Sequence, residues 1–185
     1  MTLSVLDSIV LSVAFAVNLF VVSTATARGA NMRYTKGILQ SVVLVCLQCM
    51  CFYAGAWMAG LFNIGELAYD KWFTFGMLMI IAIKLAIKVC KKQGVRDVIY
   101  VSDLKSILFL GIAAAMDAFI IGIGIGFLFD LSSLKLTMLL TIIVGFVVSI
   151  VGIFVGRQKS KIPMRLLVGA EAVLFVELAI KLFFE

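Results

Sequence analysis

Apolar side chains dominate this chain of 185 residues: 64% of the residues are hydrophobic, the mean hydropathy is +1.20, and there is one proline. This composition excludes a disordered chain, and a water-soluble domain of this length would not need so much apolar surface. The formal net charge of +6 would suggest nucleic-acid binding in a soluble protein, but here its distribution between apolar segments indicates membrane topology.

Six apolar stretches follow one another along the chain. Each approaches the roughly 20 residues that an α-helix needs to cross a bilayer. They cover residues 3–27, 38–60, 72–90, 106–129, 136–156 and 166–183. Because the connections are short, we predict an all-α polytopic membrane protein, with six transmembrane helices in a single membrane domain over residues 1–185.

Basic residues are concentrated in alternate loops. The loops after the first, third and fifth segments contain or border Arg28, Arg33, Lys36, Lys88, Lys91, Lys92, Arg96, Lys105, Arg157, Lys159, Lys161 and Arg165. The opposite side of the membrane has Lys71, Lys135 and Lys181. The positive-inside rule therefore predicts that the three basic loops are cytoplasmic and that both termini lie outside the cytoplasm.

The chain contains an internal repeat. The segment 16–20, AVNLF, matches the segment 115–119, AMDAF, at a constant offset of 99 residues. Later helices also match: Gly55-x-x-x-Ala59 corresponds to Gly152-x-x-x-Gly156, and AIKL occurs at 82–85 and again at 179–182. Small residues at this spacing are typical of close helix packing.

Each copy holds three helices, and three is an odd number. The second copy must therefore be inverted in the membrane relative to the first, as in many transporters. We predict repeat 1 over residues 1–92, repeat 2 over residues 103–185, and a cytoplasmic linker over residues 93–102.

The repeat places two polar residues at corresponding positions, Asn18 and Asp117. Asn18 lies ten residues from Arg28 and Asp117 eleven from Ser106, so both are about 15 Å from the cytoplasmic edge. An acid inside the membrane indicates a functional site, and inverted-repeat transporters bind their substrate at this depth. The alternative is that the two side chains only hydrogen-bond to each other and join their helices.

Two further polar residues are candidates for the same site. Gln48 is a buried amide in the second segment, and Glu177 lies near the centre of the sixth. Glu177 has an alternative role as the partner of Lys181, four residues later. The chain contains no histidine, so this set offers mainly carboxylate and amide oxygens, which suit Mn, Mg or Ca better than Cu or Zn. We predict Asp117 and Asn18 as metal ligands.

Glu171 and Lys84 form a second predicted constellation. Glu171 is six residues from Arg165 and Lys84 six from Cys90, so both lie about 9 Å from the cytoplasmic edge. Opposite charges at equal depth lower the cost of placing both in the membrane. We therefore predict a Glu171–Lys84 ion pair, which is either structural or a gate of the cytoplasmic entrance.

These motifs resemble the manganese efflux pump (MntP) family, six-helix bacterial inner-membrane proteins grouped with the LysE-type exporters. The segment 115–119 followed by Gly122-x-Gly124 is similar to the family's S-x-D-A/S-x-x-x-G segment. Further similarities lie at Gly152-x-x-x-Gly156-Arg157, at Gln48 seven residues before Gly55, and at Lys84. The resemblance differs at Asn18, where the family has aspartate, at Phe52, where it has proline, and at Glu171 and Glu177, where it has small or apolar residues.

The resemblance implies export of Mn²⁺ from the cytoplasm across a bacterial inner membrane. Manganese would be the transported substrate, and no cofactor is expected. We find no catalytic constellation and no nucleotide-binding motif, so we do not predict an enzyme or a nucleic-acid partner. Export of a small amino acid or other organic solute, or a non-transporting scaffold, remain alternatives, and the sequence leaves homo-oligomerisation open.

Overall fold

The computed structural model describes residues 5–29, 34–61, 67–90, 104–129, 131, 133–158 and 164–184. These residues form six α-helices and no strand. The helices are α1 (Val5–Gly29), α2 (Tyr34–Leu61), α3 (Leu67–Cys90), α4 (Leu104–Leu128), α5 (Lys135–Arg157) and α6 (Met164–Phe184). The all-α prediction is confirmed, and each helix contains most or all of one predicted apolar stretch. The predicted linker 93–102 lies outside the described residues.

Several helices could cross a bilayer by their length and composition. Within the described residues, four spans meet this condition: Val5–Ala27, Gly37–Leu61, Asp70–Cys90 and Lys135–Arg157. A shorter apolar stretch, Ala114–Leu128, belongs to α4. Helix α6 is also largely apolar but carries Glu171, Glu177 and Lys181. Charged groups therefore lie on α6, at the middle of α4 and on α3, which carries Lys84 and Lys88.

Two helix pairs are packed closely and run parallel. In the α1–α5 pair, Thr137 donates a hydrogen bond to Ser8 near one end (3.0 Å), while Gly156 lies against Thr24 near the other. The α2–α4 pair is parallel in the same way. Because α1 and α2 belong to the first predicted repeat and α4 and α5 to the second, each close pair joins one helix from each repeat.

The remaining neighbours are antiparallel. Thr74 of α3 donates a hydrogen bond to the Gly124 carbonyl of α4 (2.5 Å), and ten residues later Lys84 contacts Asp117. Helix α6 likewise runs antiparallel to α1 and α3, and α5 to α2. The six helices therefore alternate in direction, and α1 and α4 run opposite ways, as an inverted repeat requires. The duplication itself remains a prediction from the sequence.

Glycines make corresponding contacts in the two close pairs. A Cβ on Gly55 of α2 would overlap the Phe119 carbonyl oxygen of α4. A Cβ on Gly152 of α5 would lie 3.0 Å from the Phe20 carbonyl oxygen of α1. Gly55 and Gly152 correspond in the predicted repeat, and so do Phe119 and Phe20. Small residues thus let the backbones approach at corresponding points of the two helix pairs.

Candidate functional site

Asp117 is an acid in the middle of α4 and forms an ion pair with the Lys84 ammonium of α3. The antiparallel packing of α3 on α4 brings the two side chains together. The Asp117 side chain is 17% exposed and that of Lys84 is 56% exposed. The carboxylate is therefore mostly enclosed by the bundle, while the lysine approaches it from the open side.

Glu171 is buried on α6, with 3% of its surface exposed. Its carboxyl group lies within electrostatic range of Lys88, Asp117 and Lys84. The predicted Glu171–Lys84 ion pair is nevertheless not the one that the described residues form, because Lys84 contacts Asp117 instead. The reason is geometric. Counting residues gives Lys84 and Glu171 the same depth, but it does not show that α4, which carries Asp117, also faces Lys84.

Gln48 of α2 is almost fully buried, with 2% exposed. Neither its amide oxygen nor its amide nitrogen has a hydrogen-bond partner within the described part of the chain. A buried polar group without a partner costs about 1–3 kcal/mol of stability, so such groups are rare in proteins and usually have a reason. A bound ion or water would satisfy this amide.

Asn18, Gln48 and Asp117 lie at one level of the bundle. The rings of Phe15 (α1) and Phe52 (α2) are in edge-to-face contact at 5.4 Å, and Gly122 of α4 packs against the Phe52 backbone. From this layer, the three polar residues lie three to five positions toward the end of the bundle where α1 ends and α2 begins. At the helical rise this is about 5–8 Å in every case.

The predicted metal site shared by Asn18 and Asp117 remains a prediction. Asn18 is partly buried on α1, and α1 and α4 contact each other least among the touching helix pairs. Asn18 and Asp117 therefore lie at one level, on helices that contact each other little. Gln48 lies on α2, which is the helix that packs most closely on α4.

The Glu177 side chain faces outward, away from the interior of the bundle. It lies on an exposed stripe of α6 together with Val173, Ile180 and Phe184. The buried face of the same helix carries Glu171 and Phe175. The structure thus does not bring Glu177 to Asp117 and Gln48, because its position on the helix turns it outward.

A second ion pair was not predicted. The Lys181 ammonium of α6 contacts the Asp7 carboxylate of α1 at 2.5 Å, and Asp7 is buried. Lys181 and Lys84 occupy corresponding positions of the AIKL segments, and each contacts an aspartate on the first helix of the other predicted repeat. The corresponding positions of the two lysines in the AIKL segments are the sequence feature from which the Asp7–Lys181 pair could have been predicted.

The candidate site contains few metal-ligating side chains. Over the described ranges, no three His, Cys, Asp or Glu residues form a metal-binding group. One carboxylate, with amides at the same level, could provide oxygen ligands for a hard divalent cation. Such a sparse set suits an ion that is bound transiently and completes its coordination with water or backbone oxygens.

The helical bundle and its intramembrane charges define a multi-pass membrane protein with polar residues buried among an apolar core. Its sequence matches the family model described as "Mntp: Putative manganese efflux pump" over residues 31–183. Because the match covers most of the chain, the chain belongs to this family. The family is one of transporters, not of enzymes.

Individual relatives agree with this assignment. A protein of Elusimicrobium minutum is 27% identical over 135 residues, which cover 69% of this chain and 72% of that protein. Proteins from two strains of Dehalococcoides mccartyi are each 22% identical over 151 residues, covering 82% of this chain and 74% of theirs. All three are named "Putative manganese efflux pump MntP". No solved structure matches this chain.

Proposed function

We propose that this protein exports Mn²⁺ from the cytoplasm. The observation that carries the proposal is the Asp117 carboxylate at the middle of a membrane helix, in a chain that belongs to a manganese efflux family. Ionisable groups at this depth are costly and mark transport pathways. Hard carboxylate and amide oxygens suit Mn²⁺ better than a softer ion.

Asp117 is the charged ligand in this proposal. Gln48 contributes its amide oxygen, since its buried amide has no other partner within the described residues. Asn18 completes the set from the first repeat. Glu177 has no part in the site, because it lies on the outward stripe of α6.

The proposed setting is a bacterial inner membrane. The protein forms one membrane domain of two inverted repeats, joined by a cytoplasmic linker over residues 93–102. Both termini lie outside the cytoplasm, as the distribution of basic residues favours. The proposed partners are the lipid bilayer and the transported cation.

Metal quantification in a manganese-sensitive bacterial host tests the function. Cells that express the wild type should contain less manganese than cells without it, while iron, zinc, magnesium and calcium stay unchanged. Asp117→Asn keeps the shape of the side chain but removes its charge, and it should abolish the difference. Glu177→Gln is the matched control: it also neutralises an acid within a membrane helix, and it should behave like the wild type.

Two results of this metal quantification would contradict the proposal. Unchanged manganese content with the wild type would contradict manganese export, and transport of an organic solute or a scaffold role would then be the better hypothesis. Full activity of Asp117→Asn at normal membrane abundance would remove this carboxylate from the mechanism.

A further inference from the structure

The Lys84 ammonium holds the same carboxylate that the proposed function gives to the transported ion. Lys84 and Asp117 form an ion pair between α3 and α4. An ammonium group and a divalent cation both bind carboxylate oxygens, and two cations on one carboxylate repel each other. Mn²⁺ can therefore be held tightly by Asp117 only when Lys84 withdraws.

Lys84 can withdraw because, among the described residues, its ammonium forms an ion pair with Asp117 alone. More than half of it is exposed, whereas Asp117 is mostly enclosed. A lysine has a flexible four-carbon stem and can move its charge by several ångströms without moving the backbone. The mobile partner in this ion pair is therefore the lysine.

Glu171 offers Lys84 a second partner. It is buried on α6, and its neighbour Ala172 lines one cavity with Ala82 and Ala86 of α3, so Glu171 and Lys84 lie at the same level of the bundle. Lys88, one turn further along α3, also interacts electrostatically with Glu171. An unpaired ammonium inside a membrane protein is costly. A move from Asp117 to Glu171 keeps the lysine next to a carboxyl group at both ends of its path.

We propose that Lys84 is a tethered competitor of the transported cation. It pairs with Asp117 before the ion binds, moves toward Glu171 when the ion takes the carboxylate, and returns to Asp117 to displace the ion. This inference rests on the proposed function and adds a release step to it. Lys84 is thus a positioning residue that sets affinity and turnover, and not a ligand.

Initial rates of Mn²⁺ flux in proteoliposomes, measured over a range of concentrations, test this role. Lys84→Gln removes the competitor, so KM should fall about tenfold, which is the order of effect of one nearby unit charge. The maximal rate should also fall, because release becomes slower. Lys84→Arg keeps the charge and can bind the carboxylate with two hydrogen bonds, so KM should be equal to or higher than that of the wild type. The matched control is Lys71→Gln, which removes a cation of the same helix 13 residues, or about 20 Å, away from Lys84.

Glu171 provides an independent arm of the experiment. Glu171→Gln removes the second partner, holds Lys84 on Asp117, and should raise KM about fivefold or more. In a Lys84→Gln background, the same substitution should have no further effect on KM. If Lys84→Gln does not fold, which size-exclusion chromatography would reveal, the single Glu171→Gln variant decides the question: a raised KM supports the inference and an unchanged KM overturns it.

The outcomes separate this inference from the proposed function. A wild type that carries no Mn²⁺ flux would overturn both. Flux by the wild type, together with an unchanged or raised KM in well-folded Lys84→Gln, would overturn the competitor role alone. A loss of maximal rate without a change in KM would identify the ion pair as structural.

Discussion

The buried amide of Gln48 is expected to lower the stability of the protein and to strengthen binding of the transported ion. Within the described residues, neither of its polar atoms has a partner. Gln48→Leu replaces it with an apolar side chain of similar size and removes the cost of an unsatisfied group, about 1–3 kcal/mol. We expect a higher melting temperature and a weaker apparent affinity for Mn²⁺.

Thermal unfolding in detergent and flux measurements would check this pair of effects for Gln48→Leu. Cys49→Ala, at the next position of α2, is the control, and it should leave the affinity for Mn²⁺ unchanged. A variant that loses stability and keeps its transport affinity would show that the amide is a packing element.

Asn18 is a neutral member of the proposed site, as is Gln48. It lies at the level of Asp117 and corresponds to Asp117 in the predicted repeat, so Asn18→Asp adds a negative charge near the proposed cation path. We expect transport to be retained or increased, with a lower KM, because a second carboxylate attracts a divalent ion more strongly. Mn²⁺ flux and cellular manganese content would show it. A strong loss of transport would indicate a site rebuilt around the amide.

Single residues could be predicted from the sequence when they broke a pattern. Asp117 was evident as an acid in an apolar run, and the depth of Asn18 and Lys84 followed from counting residues. The partner of Lys84 could not be predicted, since counting gives height along a helix but not the direction of a side chain. The outward position of Glu177 was missed for the same reason.

At the level of helices, glycine determines how closely two backbones approach. A Cβ on Gly122 of α4 would overlap the Phe52 carbonyl oxygen of α2 and would meet the Ala56 backbone nitrogen at 3.2 Å. Gly122→Ala should therefore force α2 and α4 apart and destabilise the protein by about 2 kcal/mol or more. Helix α2 supplies the control, Gly60→Ala, because a Cβ there would meet nothing within 4 Å.

The two glycine variants should differ in stability, because only Gly122→Ala is expected to destabilise the protein. Gly60→Ala is neutral or stabilises the helix by up to about 1 kcal/mol, because alanine has the higher helix propensity. Thermal or denaturant unfolding of the purified protein compares them. Equal stability of Gly122→Ala and the wild type would mean that the α2–α4 contact is looser than described.

The elements themselves were largely predictable. Apolar runs of nearly 20 residues between basic loops gave six helices, and the small-residue motifs correctly indicated close packing. The choice of partners was not predictable, because a motif such as Gly55-x-x-x-Ala59 shows that a helix packs closely but not against which neighbour. The structure assigns α4 to this face of α2.

At the level of the whole molecule, the alternating helix directions and the basic loops predict one orientation. Alkaline phosphatase fused to the C-terminus should be active in a bacterial host, and green fluorescent protein at the same position should be dark, because both termini are expected outside the cytoplasm. A fusion truncated within the 93–102 linker should give the opposite pattern. Fluorescence from the C-terminal fusion would contradict the proposed topology, because it would place the C-terminus in the cytoplasm.

The two glycine-lined pairs have a consequence for how the protein can move. Since α1 is held against α5 and α2 against α4 at backbone distance, neither sequence half can tilt as a rigid unit without breaking both contacts. The units that stay rigid in a transport cycle are therefore the α1–α5 and α2–α4 pairs, each with one helix from each sequence half. Motion would concentrate where packing is sparser, around α3 and α6, and these are the helices that carry Lys84, Glu171 and Lys181.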